Sequence, residues 1–108
     1  MTLAVAAVLR VFLDDPDAPR YGYELMRRTG FPSGKLYPIL ARLQAAGWLV
    51  KQVEMVDPAE VGRPARRLYR LDSGSAALVR AELAALSAQL DPERAQGGGR
   101  LRPQGSPA

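Results

Sequence analysis

Residues 34 to 43 read Gly-Lys-Leu-Tyr-Pro-Ile-Leu-Ala-Arg-Leu, so that the aliphatic side chains Leu36, Ile39, Leu40 and Leu43 fall at i, i+3, i+4 and i+7. An α-helix puts those four on one stripe and leaves Lys35, Tyr37, Pro38, Ala41 and Arg42 on the rest of its surface. A helix divided in this way buries one face and keeps the other free to read something. Upstream, residues 21 to 28 (Tyr-Gly-Tyr-Glu-Leu-Met-Arg-Arg) predict a shorter helix. It stops at Gly30-Phe31-Pro32-Ser33, where Gly and Pro oppose continuation and Ser33 is placed to cap the next helix. Downstream, Gly47 ends the second helix, Trp48 to Met55 reads as a strand, and Gly62-Arg63-Pro64 leads into a second strand from Arg66 to Leu71. Two helices followed by a basic hairpin predict a winged helix-turn-helix.

A chain of 108 residues is expected to make one domain with a single core, of modest stability unless it gains buried area by oligomerising. Cys and His are both absent, which removes disulfides, thiolate nucleophiles, imidazole bases and the common zinc ligands together. No nucleophile paired with a base and no phosphate-cradling glycine loop is visible, so no catalytic residue, metal ligand or cofactor is assigned and an enzyme ranks last. The apolar stretch Leu3 to Leu13 contains Arg10 and lacks a basic leader, which fits neither a signal peptide nor a membrane span. The expected location is the cytoplasm, with no membrane partner.

The net charge of +4 is unevenly distributed. From Arg20 to Arg70 there are ten basic residues against four acidic ones, a net of +6, whereas the remainder carries five against seven, a net of −2. A charge cluster alone is often only a solvated surface. Here it coincides with the helix-turn-helix and the hairpin, which points to nucleic acid.

The terminal segments carry a different signal. Val5, Val8, Leu9 and Phe12 form one stripe of a helix over residues 3 to 13, with Ala4, Ala7 and Val11 on much of the other side, so this helix needs cover on more than one side. It ends at Asp14-Asp15-Pro16. From Ser73 to Leu90 the pattern is helical again: Val79, Leu83, Leu86 and Leu90 recur at spacings of 4, 3 and 4, the seam of a short coiled coil, and Ala81, Ala84, Ala85 and Ala88 permit close approach. The seam fits a homodimer, packing on the first helix of the same chain, or both in one bundle. Val5, Leu9, Phe12, Val79, Leu83, Leu86 and Leu90 are the expected dimerisation residues. The expected organisation is a winged helix-turn-helix DNA-binding domain over 1–72, a dimerisation helix over 73–91 and, after Asp91-Pro92, a disordered tail over 92–108 in which Arg100 and Arg102 are weak DNA contacts. The fold class is α+β, mainly α, with N- and C-terminal dimerisation helices.

Taken together, Tyr21-Gly22-Tyr23-Glu24-Leu25, Ser33-Gly34-Lys35-Leu36-Tyr37-Pro38-Ile39-Leu40-Ala41-Arg42-Leu43, Gly62-Arg63-Pro64 and Tyr69-Arg70-Leu71 resemble the PadR family of bacterial transcriptional regulators, in its compact branch with one C-terminal helix. The resemblance implies a winged-helix domain that binds double-stranded DNA, a homodimer held by terminal helices, and repression relieved by a small-molecule effector, whose chemistry the residues do not identify. The chain departs from the family pattern in two places. Ser33-Gly34-Lys35 stands where Pro-Gly-Thr is usual, so a cation sits near a helix N-terminus, a small cost that a neighbouring phosphate offsets. Asp72-Ser73-Gly74 replaces Thr-Glu-x-Gly, with Asp72 still able to cap the last helix.

The expected DNA-binding residues are Tyr21, Tyr23, Ser33, Gly34, Lys35, Tyr37, Pro38, Arg42, Arg63 and Arg66. Lys35, Tyr37, Pro38 and Arg42 lie on the outward face near the start of the second helix, the part of a recognition helix that enters the major groove. Arg42 has the planar fork that matches guanine, while Lys35 suits phosphate. Tyr37 either reaches phosphate or packs beside the core stripe, and of Tyr21 and Tyr23 one donates to phosphate and the other packs. Arg63 and Arg66 belong to the hairpin, on phosphate or in the minor groove. Trp48 is read as a half-buried anchor outside the site. The function that follows is a sequence-specific transcriptional regulator, a homodimeric repressor on a palindromic operator. The competing reading is a winged-helix adaptor that senses an effector or binds protein and has little DNA affinity.

Overall fold

The Thr2 hydroxyl accepts the Val5 N–H at 3.1 Å, which satisfies one of the unpaired donors at the start of the first helix, α1 (Leu3–Leu13). The computed structural model describes residues 1–91, so the predicted tail over 92–108, with Arg100 and Arg102, lies outside the described residues. After α1 come β1 (Arg20–Tyr21), α2 (Gly22–Thr29), α3 (Ser33–Ala45), β2 (Leu49–Val53), α4 (Pro58–Val61), β3 (Arg67–Leu71) and α5 (Ala76–Leu90). The fold is mainly helical, with one small antiparallel sheet in the order β1-β3-β2.

The turn between α2 and α3 is built by its own side chains. Gly30 takes a left-handed conformation (φ 76°) and its N–H returns to the Met26 carbonyl, while the Thr29 hydroxyl donates to the Leu25 carbonyl at 2.6 Å and accepts the Phe31 N–H at 3.1 Å. The capping role expected of Ser33 is not observed. Pro32 occupies the N-cap, Ser33 is the first helical residue, and no side chain caps α3. Pro38 inside α3 removes one backbone donor, opposite Gly34 on the exposed start of the helix. Asp72 likewise does not cap α5. Its Oδ2 accepts from the Gly74 N–H and the Ser75 hydroxyl, ordering the turn ahead of an N-cap that is Ser75 itself.

One core joins every main element: Val8, Leu9, Val11 and Phe12 of α1, Leu25 of α2, Leu36, Ile39, Leu40 and Leu43 of α3, Leu49, Tyr69 and Leu71 of the sheet, and Val79 of α5. All four residues of the α3 stripe are buried, as their spacing predicts. The two long strands also lie where predicted, paired from Leu49↔Leu71 to Val53↔Arg67. Two elements escaped sequence reading. β1 has only two residues and no periodicity of its own, and it exists because Arg20 and Tyr21 pair with Tyr69 and Leu68. The hairpin tip contains one helical turn, α4, started by Asp57, whose carboxylate accepts the Ala59 N–H at 2.9 Å. Among the described residues no helix is long and apolar enough to cross a membrane.

Candidate nucleic-acid interface

With Leu36, Ile39, Leu40 and Leu43 held in the core, α3 turns Ser33, Gly34, Lys35, Tyr37, Pro38 and Arg42 outward, all of them exposed. Lys35 rests its ammonium 4.2 Å from the Phe31 ring centroid, a cation–π contact that holds the charge at the head of the helix and leaves it in solvent. Arg42 projects about two turns further along the same helix. Gly22 and Tyr37 are in close register, since a Cβ built on Gly22 would overlap the Tyr37 hydroxyl. The missing side chain at Gly22 therefore lets the Tyr37 ring lie across the first turn of α2 while 41 % of the residue stays exposed. Of the two roles considered for Tyr37, packing is the one seen: its hydroxyl end lies over Gly22.

The start of α2 and residues 64–67 of the hairpin meet beside Tyr37 of α3. Tyr21 and Tyr23 stack at 6.4 Å between centroids, and the Arg66 guanidinium lies 5.1 Å from the first ring and 5.9 Å from the second. The Arg27 guanidinium also lies over the Tyr23 ring, at 5.6 Å. Tyr21, Gly22, Tyr23, Tyr37, Pro64 and Arg66 line one cleft of about 420 Å3 that opens on this face. The alternatives left open for the two tyrosines separate: Tyr21 is half-buried and its hydroxyl donates to Glu54 Oε2 at 3.2 Å, whereas Tyr23 is 57 % exposed.

Arg63 differs from its expected place as a free cation at the wing. Its Nη1 and Nη2 donate to Glu54 Oε1 and Oε2 at 2.6 and 3.2 Å, and Glu54 Oε1 also accepts the Arg66 N–H at 3.2 Å. The Arg63 guanidinium, followed by the Arg66 amide, holds the Glu54 carboxyl far below the usual range, at about 2. Glu54 was not among the expected site residues. Its partners stand 33, 9 and 12 positions away along the chain, so no local pattern marks it. Two further pairs neutralise arginines near this face, Arg20 with Glu24 at 2.9 Å and Arg28 with Asp14. Among the described residues Arg10, Arg27, Lys35, Arg42, Lys51, Arg66, Arg67 and Arg80 are exposed and form no ion pair, and all but Arg10 and Arg80 belong to α2, α3 or the hairpin. The surplus of positive charge is thus carried by α2, α3 and the strands of the wing.

The expected dimerisation residues divide. Leu9, Phe12 and Val79 are fully enclosed by their own chain, which corrects their assignment, because an atom already in the core has no surface to offer a second chain. Val5, Leu83 and Leu86 are half-buried and Leu90 is 62 % exposed. Between α1 and α5 runs a groove of about 660 Å3 walled by Leu3, Ala6, Ala7, Leu83, Leu86 and Leu90. Trp48 is half-buried and packs against the core, the anchoring place expected of it.

Comparisons with known proteins agree with this arrangement. The chain has the fold of the crystal structure of smu.1704 from Streptococcus mutans UA159 (TM-score 0.59, 23 % identity, covering 94 % of this chain and 92 % of that one). It is equally similar to a PadR-like transcription factor from Bacteroides fragilis (TM-score 0.60, 22 % identity, 83 % and 84 % coverage). No curated protein matches the chain significantly. The model of the transcriptional regulator PadR-like family matches residues 8–80, from the first helix of the core through the sheet to the start of α5. The chain belongs to the PadR-like family of transcriptional regulators.

Proposed function

We propose that the protein is a homodimeric repressor that sets two α3 helices into successive major grooves of a palindromic operator. The observation that carries this reading is the set of exposed, unpaired cations on α3 together with Arg66 and Tyr23 on the same side of the fold. Arg42 reads a base edge, for which its planar fork fits guanine O6 and N7. Lys35, Tyr37, Tyr23 and Arg66 hold the backbone, and Ser33, Gly34 and Pro38 line the approach at the start of the helix. DNA binding belongs to residues 1–72. Pairing belongs to the 73–91 segment with α1, where Leu86, Leu90 and Leu3 offer apolar surface that one chain leaves open.

Fluorescence anisotropy of the protein with a duplex from its own upstream region and with a scrambled duplex, each at several salt concentrations, tests the proposal. Preference for the native duplex that persists as salt rises is the expected outcome. Equal affinities that vanish together with salt would reduce the interface to a non-specific basic surface. No binding at low salt would instead favour an adaptor that keeps the fold and has lost the DNA.

A further inference from the structure

Of Arg63 and Arg66, the two arginines that flank Pro64 and Ala65 in the wing, only Arg66 presents a free charge. Glu54 stands just past the end of β2, where its backbone N–H bonds the Arg66 carbonyl at 2.8 Å and continues the ladder beyond Val53. Its carboxylate then gathers three donors from three places: the Arg63 fork, the Arg66 amide, and the Tyr21 hydroxyl at the junction of β1 and α2. The Glu54 side chain is only 12 % exposed and that of Arg63 33 %. A bidentate, partly desolvated guanidinium–carboxylate pair of this kind is charge-neutral as a unit and geometrically specific. The Arg66 guanidinium, anchored by its own amide to the same carboxylate, remains exposed over the Tyr21 and Tyr23 rings.

We infer that Glu54 and Arg63 form a neutral clasp that positions the wing against the start of α2, and that Arg66, not Arg63, is the wing's phosphate ligand. Both are positioning residues: they set the places of Arg66, Tyr21 and Tyr23 and add no charge to the interface. The inference rests on the DNA-binding reading above, and it differs in consequence from treating every wing arginine as a contact. A cation that meets phosphate releases counterions on binding and contributes about 0.9 to the slope of log K against log salt. A cation already neutralised by a carboxylate contributes nothing to that slope.

The test measures the slope for the full-length protein on the upstream duplex, with the scrambled duplex alongside. Arg66→Gln is expected to flatten it by about 0.9. Glu54→Gln, which keeps the shape of the side chain and removes its charge, is expected to steepen it by about 0.9 as Arg63 becomes free to meet phosphate. The paired change Glu54→Gln with Arg63→Gln is expected to leave the slope at the wild-type value while lowering affinity at every salt concentration, because the wing is less well held. Should the double variant not fold by circular dichroism, Glu54→Gln alone decides, and an unchanged slope there overturns the clasp. A double variant as flat as Arg66→Gln would make Arg63 a phosphate ligand and overturn the clasp while leaving the DNA-binding reading intact. Wild type that bound no duplex at any salt would overturn that reading, and the role of the clasp with it.

Discussion

Glu54 shows how much a single side chain can organise when its partners come from distant segments. Its carboxyl titrates at about 2 in the folded protein, against 4.5 for the ordinary group, chiefly because the Arg63 guanidinium bonds to the ionised form. A depressed carboxyl stabilises the fold fully above its unfolded value, and that contribution is lost as pH falls through the folded value. Melting curves of wild type and Glu54→Gln are therefore expected to be well separated above pH 4.5 and to converge as pH falls towards 2, with the wild type losing stability more steeply in that window. Arg42 provides the complementary case. It is exposed and unpaired, so Arg42→Ala is expected to change thermal stability by less than about 0.5 kcal/mol. The same variant should lose about 1–3 kcal/mol of discrimination between native and scrambled duplexes, measured as the ratio of their affinities.

At the scale of elements, α3 joins two tasks that its two faces keep separate. Leu36 and Leu40 have no exposed surface, and truncation of such a residue removes both transfer free energy and packing. Leu40→Ala is expected to cost about 2–5 kcal/mol in a denaturant titration, a large share of what a domain of this size has, and to lose DNA binding only through unfolding. The β2–β3 hairpin is divided along its length in a similar way. Its base contributes Leu49, Tyr69 and Leu71 to the core, and burial pushes the Tyr69 phenol above its ordinary value. Its far end carries Val53 and Met55 in solvent, with Asp57 and Glu60 on the turn of α4. Arg63, Arg66 and Arg67 lie on the returning side of that far end, where Arg67 faces Val53 and the Arg66 carbonyl accepts the Glu54 N–H, and Arg66 reaches back over the Tyr21 and Tyr23 rings at the start of α2.

For the whole molecule the decisive element is α5. Its apolar seam passes from Val79, fully inside the core, through half-buried Leu83 and Leu86 to Leu90, which extends into solvent. A helix whose apolar residues become progressively uncovered is stable when a second chain continues the covering. Leu90→Glu is expected to leave the melting of one chain nearly unchanged, since Leu90 makes little of the core. By sedimentation it should weaken self-association at least tenfold, roughly the loss from one buried leucine. Because two half-sites are bound together only by a dimer, the same variant should also lose affinity for a full operator while keeping that for a half-site.

Much of this arrangement was legible along the chain. The 3.6-residue period identified α1 and the core face of α3, the Gly-Pro turn separated α2 from α3, and β2 and β3 followed from apolar runs bounded by turn residues. These features are local, and the outward face of α3 followed from them directly. Contacts between distant residues were not legible. β1 is a strand because β3 lies beside it, Tyr21 but not Tyr23 is bonded by Glu54 from a distant segment, and Leu9, Phe12 and Val79 are enclosed within one chain by a core drawn from α1, α2, α3, the sheet and α5. Periodicity says which side of a helix is apolar but not which neighbour covers it, and composition counts arginines without saying which are already paired. The sequence by itself determined the main helices, the two long strands, their order and the family; the tertiary structure alone decided the short strand β1 and which charges remain free, because pairing depends on distances that only the folded chain sets.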